Sequence, residues 1–222
     1  MWLLIAAHSL QILYHSYQGT IRMKRFLLAL FFIAAISSSH SVAQFGIAAG
    51  MNFETMSDIS GSREATFENV TGYHAGMFYD FGLGAVGLKV GAYLRDLSNV
   101  EMNRSGFIDS FDIVLIDVPV DLRFNLTATP VIRPYILAGP VFSFPSSTNE
   151  EYDKALEKVN VSGNVGGGFA IDIAGVTLFP EIRYVIGVTR FLKDKFEIGG
   201  FEFDANEAQR QNSVMLRLGI GF

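Results

Sequence analysis

Eight charged residues share one face of segments whose opposite face is apolar, and the chemistry open to them is ion pairing. Four are basic and four are acidic, so each charge has a counter-ion available. Charged groups taken out of water are tolerated when they are paired. We therefore predict that the following residues form a polar network inside the fold: Lys89, Asp117, Asp121, Arg123, Asp172, Glu181, Arg183 and Arg217.

The chain after residue 43 offers few of the residue types that catalytic sites use. There is no cysteine, which excludes disulfides, thiolate nucleophiles and thiolate metal ligands. After residue 43 the only histidine is His74. Asp80 lies on the same face but about 20 Å further along an extended strand, too far to orient the imidazole. We therefore expect no catalytic site and interpret His74 as an interior or rim residue.

Two further motifs favour local structure over cofactor binding. Residues 82–87 (GLGAVG) match the dinucleotide fingerprint G-x-G-x-x-G, which requires a helix after it. The strand-like LKVGAYLR follows instead, so a hairpin turn is predicted. The acidic residues Glu150, Glu151 and Asp153 lack calcium-loop spacing, and we interpret them as part of a solvated short helix within 149–159. We expect no metal and no cofactor.

The charged residues must be positioned by β-strands, because apolar and polar residues alternate with a period of two. The segment LIDVPVDLRFNL places apolar residues from Ile116 to Phe124 on one face, with Asp117, Asp121 and Arg123 on the other. A strand separates the two sets, whereas a helix would scatter both around its circumference. The same pattern predicts eight strands at about 44–53, 71–81, 86–95, 111–126, 133–144, 159–173, 176–189 and 212–222.

The connections between the predicted strands alternate between short and long. Short turns follow the second, fourth and sixth strands, whereas the others are long and polar, near 54–70, 96–110, 145–158 and 190–211. An up-and-down meander then carries every short turn at one rim and every long connection at the other, as outer-membrane barrels do. Tilted membrane-spanning strands need about 9–11 residues, which most of these segments reach. Within the last connection, FEIGGFEF (196–203) predicts a hairpin that turns at Gly199 and Gly200.

The content of the polar face decides which face is inside. A soluble lipocalin-like barrel would need an outer face rich in Lys, Glu and Thr, but this face is rich in glycine. Only 18% of the chain is charged, against roughly 25% in average soluble domains. An eight-stranded barrel is just wide enough for side chains to fill it, and a Lys or Arg facing lipid costs about 2–4 kcal/mol. We predict an all-β fold, an eight-stranded antiparallel up-and-down transmembrane β-barrel.

The N-terminal region has the layout of an export signal. A basic pair at 24–25 precedes an apolar run over 26–36, which is too short to span a membrane as a helix. We predict a true start at Met23, cleavage after Ala43, and one barrel domain over 44–222. An anchor built from this run and the apolar stretch before it is the alternative.

The charge balance argues against a nucleic-acid partner. After residue 43 the chain carries 14 basic and 22 acidic residues, a net charge of 14 − 22 = −8. A net-acidic chain with no basic run repels a phosphate backbone. We expect no nucleic-acid binding.

The chain ends on VMLRLGIGF, an apolar strand with an aromatic as its last residue. We predict that this strand pairs with the first strand and so removes both edges of the sheet. Arg217 is expected to pair with Glu181 or an aspartate, and Gly219 and Gly221 to leave room inside. Phe222 resembles the C-terminal aromatic that the outer-membrane assembly machinery recognises, and we interpret it as an assembly signal.

Four segments resemble the PorT-like outer-membrane β-barrel family, a relative of the OmpA- and OmpX-type eight-stranded barrels: LIDVPVDLRF, RPYILAGPVFS, FPEIRYVIGV and VMLRLGIGF. With the leader, the resemblance covers roughly residues 23–222. It implies a single-domain barrel without a cofactor, inserted by the outer-membrane assembly machinery. The namesake of the family belongs to a protein-secretion apparatus of the outer membrane.

Together these features predict a bacterial outer-membrane protein, exported through a cleaved signal peptide, of structural or interaction type. Its interior would be filled with polar side chains, and four long connections would face outward. Its partners would be outer-membrane lipid, the assembly machinery and a surface or secretion-system protein. The alternatives are an accessory component of a secretion or transport assembly, a narrow pore and a small membrane enzyme. The enzyme is disfavoured because no nucleophile–base pair is evident.

Overall fold

The computed structural model describes residues 42–56, 66–67, 70–104, 107–126, 131–193, 195–198, 201–204 and 209–222. The elements in these ranges are β1 (Val42–Met56), β2 (Thr66–Phe67), β3 (Val70–Leu83), β4 (Val86–Arg104), β5 (Phe107–Asn125), β6 (Ile132–Ser147), α1 (Glu150–Ala155), β7 (Asn160–Ile173), β8 (Val176–Gly187), β9 (Lys195–Ile198), β10 (Phe201–Asp204) and β11 (Gln211–Gly221). The predicted start and most of the predicted signal peptide lie outside the described residues. Of that segment only Val42 and Ala43 are described, at the beginning of β1.

Eight of these strands form a closed antiparallel barrel, which confirms the predicted fold class. In chain order the barrel strands are β1, β3, β4, β5, β6, β7, β8 and β11, and each pairs with the next. The last strand pairs with the first from Gly46 opposite Gly221 to Met56 opposite Gln211. The two termini of the sheet therefore close on each other, as the apolar C-terminal strand predicts.

Burial alternates along the strands in the predicted sense, with the apolar face outward. In β11 the buried residues are Gln211, Ser213, Met215, Arg217, Gly219 and Gly221. The residues between them include Val214, Leu216, Leu218 and Ile220, whose side chains lie on the outer surface. Because the side-chain period of a strand is two, this register puts the charge of Arg217 inside and the apolar column outside.

Two of the three predicted short turns form as their glycine positions predict, whereas residues 127–130 of the third lie outside the described residues. Two residues join β3 to β4, and Gly84 takes a φ of 72° there. Between β7 and β8, Ala174 and Gly175 have φ angles of 49° and 89°, as both central residues of a primed hairpin turn require. The fingerprint-like GLGAVG is therefore a turn between two strands.

The long connections contain more regular structure than their polarity indicates. The stretch 96–110 was expected as a loop, but β4 continues to Arg104 and β5 begins at Phe107, with a register shift between Leu97 and Val100. β2 pairs with Met102 and Asn103 on the other side of β4. Strand pairing can continue where the side chains no longer form an apolar face. The hydropathy pattern therefore does not predict this extension of β4 and β5.

The other two structured connections agree with the sequence. The predicted short helix is α1, whose N-cap Asn149 accepts a 2.9 Å hydrogen bond from the backbone N–H of Glu151. β9 and β10 pair with Ile198 opposite Phe201, which leaves two residues for the turn. The predicted turn residues Gly199 and Gly200 lie outside the described residues. In the described part of the chain, no helix combines the length and hydropathy needed to cross a membrane.

Candidate functional site

The interior of the barrel holds a balanced set of buried charges. In the described ranges, the buried charged residues comprise five basic and five acidic side chains: Lys89, Arg95, Arg123, Arg183, Arg217, Glu54, Asp80, Asp117, Asp121 and Glu181. Seven of the eight residues predicted for the interior network belong to this set. Alternation places them there, because each stands at an inward position of its strand.

The Glu181 cluster, defined as Glu181, Lys89, Arg183, Tyr135 and Asp121, forms the centre of the network. Glu181 accepts from Arg183 Nε at 2.8 Å and from the Tyr135 hydroxyl at 2.6 Å, and it also pairs with Lys89. Arg183 in turn donates through Nη1 to Asp121 at 2.7 Å. Two carboxylates, two cations and a phenol thus satisfy one another in a space without bulk water.

Glycines make this close packing possible. A Cβ at Gly168, opposite Glu181 in the neighbouring strand, would lie 3.0 Å from both Glu181 Cγ and the Tyr135 hydroxyl. A Cβ at Gly221 would lie 2.9 Å from a ring carbon of Phe179, and one at Gly219 would lie 3.0 Å from Phe78. The glycines of the last strand do leave room inside the barrel, and aromatic rings occupy it.

An aromatic layer adjoins the Glu181 cluster. The rings of Phe78 and Phe179 meet edge to face, with centroids 5.4 Å apart. Lys89 Nζ lies 4.2 Å from the Phe78 centroid and 4.3 Å from the Phe179 centroid. A desolvated ammonium gains electrostatic stabilisation from such ring faces. Lys89 is therefore held both by a carboxylate and by two aromatic rings.

The Glu54 cluster, defined as Glu54, Arg95, Asp117, Ser143, Gln211 and Ser213, lies toward the long-connection rim. Arg95 bridges its two carboxylates, at 3.0 Å from Glu54 and 2.8 Å from Asp117. Gln211 and Ser213 donate to Glu54 at 3.0 Å and 2.9 Å, and Ser143 donates to Asp117 at 2.6 Å. Both carboxylates thus have several donors each.

Two further ion pairs lie nearer the short-turn rim. Arg123 pairs with Asp80 inside the barrel. The structure places Asp172 apart from the buried set, since 38% of its side chain is exposed and it pairs with Arg133. Thr177 donates to Asp172 at 2.7 Å, so Asp172 belongs to a rim cluster instead of the central network. Its position one residue before the end of β7 explains this exposure.

The expected pairing of Arg217 with a carboxylate is wrong. Its Nε donates to His74 Nε2 at 3.1 Å, and its guanidinium carbon lies 3.8 Å from the Tyr93 ring centroid. Among the residues that the structure describes, no salt bridge involves Arg217. Glu181 stands directly opposite Arg217 in the register, but Lys89 and Arg183 already occupy its carboxylate.

Solved structures of known proteins share this architecture. No family model and no curated protein sequence matches the chain. Among solved structures, Neisserial surface protein A is similar with a TM-score of 0.52 and 14% identity, over 81% of this chain and 97% of that one. The outer membrane protein OprG from Pseudomonas aeruginosa is similar with a TM-score of 0.52 and 12% identity, over 83% and 98% of the two chains.

The chain has the fold of an outer-membrane β-barrel. Each of these two barrels is covered almost from end to end, so the correspondence includes the whole barrel and not one hairpin. At this level of identity the likeness concerns the fold. The PorT-like resemblance is not among these matches and stays a prediction.

The predicted network lacks three members of the buried set, namely Glu54, Asp80 and Arg95. All three stand at inward positions of strands that were predicted correctly. Glu54 lies two residues after the buried Asn52 but one residue beyond the predicted end of its strand. Arg95 lies two residues after the buried Tyr93, at the last position of its predicted strand. Continuing the alternation one residue past the predicted end of the first strand would have found Glu54. Asp80 and Arg95 lie within predicted strands, and their charge is the signal that could have found them.

Among the described residues, the side chains that His74 contacts through its ring nitrogens are Arg217 and Asn52. The imidazole contacts Arg217 and, through Nδ1, the side-chain oxygen of Asn52 at 3.4 Å. Asp80 is engaged with Arg123. Within the described ranges, no group of three or more acidic, histidine or cysteine side chains could hold a metal ion. The acidic residues of α1 are solvated, as expected from their sequence.

Proposed function

We propose that the chain is an integral outer-membrane barrel protein of structural or interaction type, whose filled interior supports outward-facing connections. The observation that carries this proposal is the inverted polarity of the barrel. Ion pairs fill the inside, while apolar side chains cover the outside. Lipid is the solvent that suits such a surface.

The outward positions support a lipid-facing belt. From Val86 to Leu94 in β4 and from Val114 to Phe124 in β5, the outward residues are all uncharged. Ile182 illustrates the exposure, since 57% of its surface is open. Monomeric soluble proteins rarely expose contiguous apolar patches larger than a few hundred Å². An uncharged belt around the whole barrel is larger than the apolar patches that soluble monomers expose to water.

Aromatic residues occur toward both rims of this belt, as interfacial girdles require. Tyr73 is 64% exposed and stands opposite Asp96 at the long-connection end. Phe124 is exposed opposite Val86 at the short-turn end, and Tyr79 is exposed opposite Val90 toward the same end. Amphipathic rings are favoured at the two levels where lipid meets water. Their placement supports a membrane-spanning orientation with the short turns at one interface.

The long connections carry a small folded unit that supports an interaction role. Leu156 after α1 forms a β-bridge with Leu192, and both side chains are buried. Tyr152 and Phe191 are buried beside them. The backbone N–H of Glu157 donates a hydrogen bond to the carbonyl of Phe191 at 3.0 Å. An ordered surface beyond the membrane can present a fixed shape to a partner, which an unstructured loop cannot.

Cell fractionation and gel migration test the membrane location. We expect the chain to sediment with the outer membrane and to require detergent for extraction. Its band should migrate differently before and after boiling, because the closed barrel resists unfolding by detergent at room temperature. Recovery in the soluble periplasmic fraction with no heat-dependent shift would contradict the proposal.

The filled interior predicts that the barrel does not conduct ions steadily. Phe78, Phe179, Tyr135 and Glu181 occupy the cross-section with side chains that are at most 5% exposed. Planar-bilayer recordings of the purified barrel should therefore show a closed baseline. Steady open conductance would favour the narrow pore.

Co-purification with large membrane partners would instead support an accessory role in a secretion or transport assembly, as the family resemblance implies.

A further inference from the structure

A small cavity lies inside the barrel between the Glu181 cluster and the Glu54 cluster. Its polar walls are Asp117, Asn164, Arg183 and Arg217, and Val141 and Val185 contribute apolar walls. Its volume is about 10 Å³. One water molecule requires a cavity of about 10–15 Å³ measured in this way.

Two residues that line this cavity, Arg217 and Asn164, each carry a buried polar atom without a partner among the described residues. Arg217 and Asn164 are 6% and 5% exposed. Within the described part of the chain, neither Arg217 Nη1 nor Asn164 Oδ1 has a hydrogen-bond partner. Their other polar atoms are used, since Arg217 Nε binds His74 and Asn164 Nδ2 binds Asp121. A buried polar group without a partner is destabilising, so a native structure normally satisfies it.

We propose that this cavity binds a single internal water molecule. The water accepts a hydrogen bond from Arg217 Nη1 and donates one to Asn164 Oδ1. Its second hydrogen faces the carboxylate of Asp117, which lies on the same wall. Three such partners are the usual number for a buried water. The site thereby links Arg217, which has no direct carboxylate partner among the described residues, to the ion-pair network.

The chemistry of the walls selects water over ions. An anion would gain Arg217 and Arg183 but would face the unpaired oxygen of Asn164 and the carboxylate of Asp117. A metal cation would face two guanidinium groups. Only a neutral molecule that both donates and accepts matches a free N–H on one wall and a free oxygen on another. The volume leaves room for nothing larger than water.

A high-resolution crystal structure of the purified full barrel, with a bromide-soaked crystal beside it, tests this site. We expect one density peak within hydrogen-bond distance of both Arg217 Nη1 and Asn164 Oδ1, and no anomalous bromide signal there. Absence of a peak, or an anomalous bromide peak, would overturn the proposal. The test is independent of the membrane location, because it concerns only the interior of the barrel.

A matched pair of variants gives a second measurement. Val185→Ile adds a methyl group toward the cavity, so we expect loss of the density peak and a lower unfolding temperature as two polar atoms lose their partner. Val165→Ile makes the same change on the outer face, where Val165 is 50% exposed, and should preserve both. A higher unfolding temperature for Val185→Ile than for the parent would mean a dry cavity and would overturn the proposal.

Discussion

Glu181→Gln is expected to lower the free energy of unfolding by about 3–5 kcal/mol, the usual cost of removing one partner from a buried ion pair. The carboxylate of Glu181 is bound by Lys89, Arg183 and Tyr135, and its side chain is fully buried. A neutral amide cannot balance two desolvated cations and presents N–H groups to donors. The change is measured by urea unfolding of the barrel in detergent micelles. Far-ultraviolet circular dichroism, which needs no tryptophan, follows the loss of strand structure.

The matched control is Glu150→Gln on the surface of α1. Glu150 pairs with Lys154 at 3.5 Å, and 90% of its side chain is exposed. An exposed pair of this spacing on a helix contributes about 0.3–0.5 kcal/mol, so this variant should unfold like the parent. Equal stability of Glu181→Gln and the parent would show that water solvates the central charges. That result would contradict the filled interior and favour the narrow pore.

Phe222→Asp is expected to prevent most of the chain from reaching its folded form in the outer membrane. The backbone N–H of Phe222 donates to Phe45 at 2.8 Å, whereas the side chain is 61% exposed on the outside of the barrel. The ring therefore contributes little to the packing of the finished barrel. Its expected importance is recognition of the terminal strand during assembly. The heat-shifted fraction in outer-membrane extracts is the measurement.

Two comparisons separate recognition from simple strand stability. Val159→Asp puts the same charge on an exposed apolar residue of the connection between α1 and β7, and should assemble normally. Refolding of purified Phe222→Asp into detergent micelles should succeed, because a charge near the membrane interface costs only about 0–1 kcal/mol. Normal assembly of Phe222→Asp in cells would eliminate the signal interpretation. Failure in micelles as well would assign the defect to the strand itself.

The positions of the barrel strands were predictable because a strand with one apolar and one polar face must alternate. Ile116, Leu122 and Phe124 face outward, and Asp117 and Asp121 face inward, as the period of two requires. The predicted boundaries were short where the strands leave the apolar layer. There the alternation of apolar and polar residues ends although backbone pairing does not, so β4 and β5 continue through a stretch that looks like a loop.

The partners of the interior charges were not predictable from the sequence. Arg217 and Glu181 are opposite each other on neighbouring strands, yet Arg217 contacts His74 and Tyr93. Side chains that cross a barrel reach residues far away in sequence, and competition among several donors for one carboxylate decides the pairs. At Glu181 the carboxylate is held by Lys89 of β4 and by Arg183, which stands two residues further along the same strand.

The sequence by itself determined the number of barrel strands, their up-and-down order and which face of each is apolar, since these follow from local periodicity and connection length. Only the tertiary structure decided which buried charges meet, where Gly168 lets Tyr135 reach Glu181, and that a cavity remains beside Arg217. The physical reason is that alternation is a property of one strand. Pairing and packing depend on the register and curvature of all eight strands together.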